Sequence, residues 1–297
     1  MTATVGSGGR SRIRLWVQGA RPRTLGASLV PVAVGAAASA RVAVLSTALA
    51  AVVALALQVG VNYANDYFDG VRGVDEVRVG PVRLTASGLM AAPAVARAAA
   101  AALGVAAVAG AVLALTTRPV LLAVGALALL AAVLYSGGRR PYASLGLGEV
   151  AVFVFFGPVA VCGTALVDAG HIPIAAVWAA ATPGLLATAL LVVNNLRDLD
   201  GDAAAGKRTL AVRLGDRNTR ALFVATIVGA LAIPVVGVVA GGLPRPALLV
   251  LAATPLAIRP LRLVGRGQGR ALVAGLGATS RLLIASGVLL TTGLALG

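Results

Sequence analysis

Long apolar stretches alternate with short polar ones over all 297 residues of this chain. The run LSTALAAVVALALQVGV, residues 45–61, carries no charged residue. About 20 residues of helix cross the hydrocarbon core of a bilayer, and runs of that order recur along the sequence. The pattern predicts nine spans: 22–40, 44–69, 94–117, 119–136, 146–167, 173–199, 218–241, 245–263 and 271–296. Helix is the expected form, because backbone groups in lipid must find their partners within the segment. Small residues in GASLVPVAVGAAAS and GVAAVAGAV suit close approach of neighbouring helices. The expected fold class is thus all-α, a multi-pass transmembrane bundle forming one domain over 1–297, preceded by a polar segment at 1–20. The first 25 residues hold five arginines and no apolar core of a signal peptide, so no cleaved leader is expected.

Composition strengthens the membrane reading. The chain is 59% hydrophobic and 12% charged, with a mean hydropathy of +0.95. Soluble domains carry about 25% charged residues. A net charge of +15 raises the question of nucleic acid. Its distribution argues against that partner, because the arginines sit in short loops between apolar runs without a basic, aromatic-rich surface. They also sit asymmetrically. Of 25 basic residues, only Arg41, Arg118 and Arg245 fall on one side of the nine-span topology, and Arg281 falls within the last span. The positive-inside rule puts the arginine-rich side, and with it the N-terminus, in the cytoplasm of a cell-membrane protein. Cys162 and His171 are the only residues of their types, so neither a disulfide framework nor a Cys/His metal site is expected.

The acids are scarcer and more telling. Seven of ten lie in two clusters, NYANDYFDGVRGVDE and NNLRDLDGD, each at the expected cytoplasmic end of a span. Asn62, Asp66 and Asp69 are spaced by four and three, and Asn194, Asp198 and Asp202 by four and four. Such steps return to one helix face. A basic, glycine-containing loop follows each cluster, VGPVRLTASG and AGKRTLAVRLG, which suggests an internal duplication. Carboxylates crowded on one face repel unless a cation sits among them. An oxygen-rich set without Cys or His suits Mg²⁺, which binds one or two carboxylates together with phosphate oxygens. Nearby arginines can grip the same phosphates. A diphosphate head on a lipid tail would fit a site at the membrane boundary. Solvated helix caps are the plainer reading of one such cluster, and two matched clusters holding most of the acids weigh against it.

NDYFDGVRGVD and RDLDGD resemble the two Asp-rich motifs of the UbiA superfamily of intramembrane aromatic prenyltransferases. RPRTLGASLVPVAVG, VGPVRLTASG, YSGGRRPYASLGLGEVAVFVFFGPVAVCGT and NNLRDLDGDAAAGKRTLAVRLGD are most similar to its branch acting on 1,4-dihydroxy-2-naphthoate in menaquinone biosynthesis. The resemblance implies nine helices around a central cavity, with the motifs at its cytoplasmic mouth. It implies transfer of a polyprenyl group from polyprenyl diphosphate to the dihydroxynaphthoate ring, with loss of CO₂ and diphosphate. Asn62, Asn65, Asp66, Asp69, Asp198 and Asp202 match the motif positions, and Asp75 completes the longer first motif. Asp66, Asp69, Asp75, Asp198 and Asp202 are the implied Mg²⁺ ligands.

Substrate-binding candidates surround them. Asn194 and Asn195 precede the second motif, and Arg72, Arg83, Lys207 and Arg208 are placed to hold diphosphate. Arg21 and Arg23 could pair with the acceptor carboxylate or anchor the first span. Family members often carry Lys shortly after a Tyr at the junction following the fourth span. Here Tyr135 is followed by Arg139 and Arg140, and Arg140 is taken as the candidate. Glu149 enters the next span, where a carboxylate is costly and marks a site by default. No activated Ser, Cys or His is needed, because Mg²⁺ and cationic side chains stabilise the departing diphosphate. The alternatives are a different aromatic acceptor and a secondary transporter; the latter would place its acids near the bilayer midplane.

Overall fold

A computed structural model of the chain describes residues 12–73 and 83–297. Eleven helices, with a short 3₁₀ turn at Tyr142–Leu145 between the fifth and sixth, follow one another in these segments. They are α1 (Arg12–Ala20), α2 (Pro22–Ala38), α3 (Val44–Val71), α4 (Ala92–Thr116) and α5 (Leu121–Ser136), then α6 (Gly148–Ala169), α7 (Ile174–Arg197), α8 (Leu199–Ala204), α9 (Leu210–Val239), α10 (Arg245–Arg266) and α11 (Arg270–Ala295). No strand occurs among the described residues. The expected all-α class holds.

Seven helices, α3, α4, α6, α7, α9, α10 and α11, are long and apolar enough to cross a membrane. Two further apolar stretches, Thr24–Ala38 and α5, are shorter. At 1.5 Å per residue the 16 residues of α5 reach about 24 Å, less than the ~30 Å hydrocarbon core. Each expected span coincides with one of these nine apolar segments, but length alone qualifies seven.

The core is organised around α7. In its most apolar window 72% of residues are buried, against 11% for α3, so α7 is central and α3 peripheral. Leu186, Ala189, Val192 and Val193 of α7 meet Phe223 and Ile227 of α9, and Leu282, Leu283 and Leu290 of α11. Small residues allow this density. A Cβ on Gly157 would lie 2.9 Å from the carbonyl oxygen of Ala180 and 3.2 Å from Cα of Gly184, so α6 and α7 touch backbone to backbone there. Pro158 lies in a π-helical turn at Phe155–Val159. Its missing N–H removes one rung of the ladder, and the wider turn accommodates it.

A smaller cluster joins α1, α3, α4 and the loop before α4, with Leu15, Tyr63, Ala64, Leu84, Val95 and Ala99 buried together. Here the structure adds to the sequence reading. The expected polar N-terminal segment contains α1, which buries Leu15 and Gly19. Trp16 and Tyr63 meet edge to face at 5.6 Å, and the Tyr63 hydroxyl donates to the Trp16 carbonyl. The helix holding the seventh span starts earlier than expected, at Leu210, and bends at Gly215, whose φ of 74° is open to glycine. At the end of α3 away from the Asp clusters, Thr47 donates to Asp168 of α6 at 2.7 Å. That hydrogen bond accounts for one of the acids outside the clusters.

Candidate active site

Residues 62–69 of the first acidic cluster lie in about the last three turns of α3, and their amides and carboxylates are already engaged. Asn62 is 3% exposed. Its amide donates to the Ala20 carbonyl at 2.9 Å and to Thr24 Oγ1 at 3.4 Å, and its oxygen accepts from Gln58. It thereby fixes the α1–α2 junction, where Arg21 adopts a left-handed φ of 54°. Asn65 accepts from the Ser136 hydroxyl and ties α3 to the end of α5. Asp66 is 1% exposed. Each of its carboxylate oxygens accepts from a backbone amide at 2.8 Å, that of Leu84 for one and of Thr85 for the other. It holds down the loop that carries Arg83.

Asp69 is where the two motifs meet. Lys207 Nζ stands 3.6 Å from Asp69 Oδ1 and 3.4 Å from Asp202 Oδ1. Arg83 reaches Asp69 from the other side at 3.5 Å. Residues more than 130 positions apart in sequence thus share one ammonium. The loop after α8 makes this possible, because the Lys207 amide donates to the Asp202 carbonyl at 2.9 Å and the Arg208 amide to that of Ser144 at 2.9 Å.

The second cluster departs from the single helix face expected of it. α7 ends at Arg197, and Asp198 caps it with φ −94° and ψ 5° before α8 resumes. The Asp202 amide still donates to the Asp198 carbonyl at 2.8 Å, so one α-helical rung spans the break. Asp198 is gripped by Arg197, Nε to Oδ1 at 2.8 Å and Nη2 to Oδ2 at 2.7 Å. Arg197 Nη2 also donates to Asn194 Oδ1 at 2.9 Å. Sequence reasoning counts Arg197 only among the topology-setting arginines. Its position three residues after Asn194 and beside Asp198 is the available signal.

A cavity of about 260 Å³ adjoins Lys207. Arg72, Arg139, Arg140, Lys207 and Arg208 all line it, and no acid among the described residues does. Five cations around one hollow make an anion seat, and planar guanidinium forks match phosphate oxygens. Arg72 also braces the end of α5. It donates to the carbonyls of Ser136 at 2.8 Å and Gly138 at 2.5 Å, with its guanidinium 5.7 Å from the centre of the Phe68 ring. Tyr135 and Tyr142 meet edge to face at 5.5 Å nearby. In the loop between α5 and α6, burial pushes the Tyr142 phenol up to about 12, so it remains a neutral donor. Asn195 donates to Glu149 Oε1 at 2.8 Å.

The expected residues therefore form two groups. Asp69, Asp202, Arg83 and Lys207 converge, with Arg72, Arg140 and Arg208 around the adjoining cavity. Asp66 and Asp198 lie close by in sequence but are turned to backbone amides and to Arg197. No group of three or more metal-binding side chains occurs among the described residues. Asp69 and Asp202 nevertheless fit a hard cation: both are carboxylates, and both already face one positive charge. Asp75 and the side chain of Arg23 lie outside the described residues.

An all-helical chain, rich in membrane-length helices, with paired aspartates beside a cationic hollow, defines an intramembrane protein built to hold an anionic head group. The family model described as "UbiA prenyltransferase family" matches residues 28–271. The chain belongs to that family. A protein of Mycobacterium tuberculosis named 1,4-dihydroxy-2-naphthoate octaprenyltransferase is 49% identical over 258 residues, which is 86% of this chain and 87% of the relative. One of the same name from Escherichia coli is 37% identical over 74% of this chain and 75% of its own. Among solved structures, a UbiA homolog from Archaeoglobus fulgidus bound to GPP and Mg²⁺ matches with a TM-score of 0.67 at 15% identity. It covers 93% of this chain and 99% of that one. A ligand-free homolog from Aeropyrum pernix matches with the same score at 20% identity, over 93% and 98%. At these identities the solved structures bear on the fold. Family membership decides against the secondary transporter.

Proposed function

We propose that this chain transfers a polyprenyl group from polyprenyl diphosphate to 1,4-dihydroxy-2-naphthoate, with loss of CO₂ and diphosphate, giving the demethylmenaquinol of menaquinone biosynthesis. The names and identities of its bacterial relatives support the acceptor. The observation that carries the reading in the structure is the sharing of Lys207 between Asp69 and Asp202, beside a hollow whose charged lining residues are cationic.

In this reading the diphosphate lies against Lys207, Arg83, Arg72, Arg140 and Arg208, whose charges favour electron density leaving with the head group. Magnesium held by Asp69 and Asp202 would supply Lewis-acid stabilisation of the same leaving group. Asp66 and Asn62 act by fixing the Arg83 loop and the Arg21 turn. Arg197, Asn194 and Asp198 form a fixed polar rim. Arg21 and Arg23 are the candidates to pair with the acceptor carboxylate. The helical bundle keeps water from the allylic cation until the ring carbon attacks. The topology proposed with this function is nine crossings, two of them by the shorter segments, in the cell membrane, with the N-terminus and the site on the cytoplasmic side. Lipid surrounds the bundle, and nucleic acid is no partner.

The test is direct. Purified protein in lipid nanodiscs is given Mg²⁺, a polyprenyl diphosphate and an equimolar mixture of 1,4-dihydroxy-2-naphthoate and p-hydroxybenzoate. The expected product, identified by mass, is the decarboxylated prenyl naphthalenediol. Prenylation of p-hydroxybenzoate in its place would overturn the acceptor, and absence of diphosphate release would overturn the reaction.

A further inference from the structure

Glu149 is a buried carboxylate whose second oxygen has no hydrogen-bond partner among the described residues. It is 5% exposed and lies in the first turn of α6. Oε1 takes a hydrogen bond from Asn195 of α7 at 2.8 Å. Oε2 is buried with no such partner among the described residues. A buried acceptor in that condition is costly, and a ligand that donates to it removes the cost. The first turn of a helix favours negative charge, so the carboxylate is suited to accept rather than donate.

Its surroundings select the donor. The neighbouring Gly148 has no side chain, and a Cβ there would lie 3.6 Å from the Tyr135 hydroxyl. Leu191 of α7 stands 3.3 Å from the same point, so Tyr135 of α5, Leu191 and Asn195 of α7 and the start of α6 meet around the carboxylate. The groups that carry or can carry charge within electrostatic reach of Tyr135 are Glu149, Tyr142, Asp69 and Arg21. Tyr135 thus lies within electrostatic reach of both Glu149 and Asp69, and an aromatic ring is a surface on which a flat acceptor packs.

We infer that Glu149 binds a ring hydroxyl of the aromatic acceptor through Oε2 and takes its proton as the ring attacks. This rests on the function proposed above and deepens it. The step balances without any further reagent. The hydroxyl O–H bond breaks toward Glu149 and the oxygen becomes a carbonyl. The electron pair released into the ring forms the bond from a ring carbon to prenyl C1, and the C1–O bond breaks with its electrons leaving on diphosphate. When the carboxylate departs as CO₂, its bonding pair restores the aromatic ring, and the carbonyl oxygen recovers the proton from Glu149. The proton is borrowed and returned. Asn195 is a positioning residue that fixes the carboxylate through its other oxygen.

The experiment compares wild type with Glu149→Gln in nanodiscs, with Mg²⁺ and saturating polyprenyl diphosphate. Glutamine preserves shape and can still accept from Asn195 but cannot take a proton. At neutral pH, kcat should fall by about 10²–10⁴-fold while the donor KM changes by less than about twofold. The rate should recover as rising pH ionises the hydroxyl in solution, which a packing defect would not produce. A variant with more than half of wild-type kcat, or one equally impaired at every pH, overturns the inference. A third measurement is independent of variant folding: wild type prenylating a methyl ether of the acceptor as fast as the free diol also overturns it. An active wild type with an unaffected variant sinks only the role of Glu149, whereas an inactive wild type sinks the proposed reaction.

Discussion

Replacing Asp66 with alanine separates two explanations of an acidic motif. If the residue mattered only as a metal ligand, its loss would leave the apo protein unchanged. The structure gives it a mechanical role, since its two oxygens cap the amides of Leu84 and Thr85 at 2.8 Å in a nearly solvent-free setting. Removing the carboxylate strands both amides, each at a cost of about 1–3 kcal/mol, hence about 2–6 kcal/mol together. That is a large share of the ~5–15 kcal/mol that holds a typical domain together. The loss should be felt locally, because Leu84 is fully buried among Leu15, Tyr63 and Val95 and would lose its tether. Hydrogen exchange followed by mass spectrometry reads it out. Peptides covering residues 83–91 should exchange about 30-fold or more faster, while α7 peptides keep wild-type protection, since every 1.4 kcal/mol is a factor of ten. Asp66→Asn should fall between, because its oxygen still accepts one amide while its NH₂ opposes the other. Excess Mg²⁺ should restore activity to neither variant. Unchanged exchange at 83–91 in Asp66→Ala would refute the tether, and recovery of turnover at high Mg²⁺ would return the residue to direct metal ligation.

Lys207→Met should raise the KM for the prenyl diphosphate by about tenfold or more, because the methionine keeps length without charge; steady-state kinetics in nanodiscs checks this. Gly157→Ala should destabilise the protein by about 1–3 kcal/mol, seen as a lower melting temperature, because the added carbon meets the Ala180 carbonyl at 2.9 Å. Chelation with EDTA should abolish turnover and leave the melting temperature unchanged, because Arg83, Lys207 and Arg197 already balance Asp69, Asp202 and Asp198; a marked fall on chelation would contradict that balance.

The spans are legible in the sequence because lipid tolerates few polar residues, so the ends of apolar runs mark helix ends within a few positions. Both acidic clusters are legible too, since seven of ten acids in two places cannot be spread by folding. The division of labour within them is hidden. Spacing puts Asp66 and Asp69 on one face of α3, but which carboxylate meets a cation depends on the loop at 83–91, and that is a tertiary fact. Asp198 likewise looks equivalent to Asp202 until Arg197 folds back on it. Helix α1 escapes a reading of the pattern because Arg12, Arg14 and Gln18 conceal the few apolar positions that bury it. Pro158 is visible in the sequence, yet only the packing of α6 on α7 decides that it widens a turn rather than ending a helix.

Lys207 already fills the gap between Asp69 and Asp202, and it also borders the cationic hollow. A divalent ion held by Asp69 and Asp202 would take the place of that ammonium, leaving Lys207 to pair with an anion in the hollow it already borders. One flexible lysine would keep the vacant mouth electrically quiet and then serve as counter-charge to its guest.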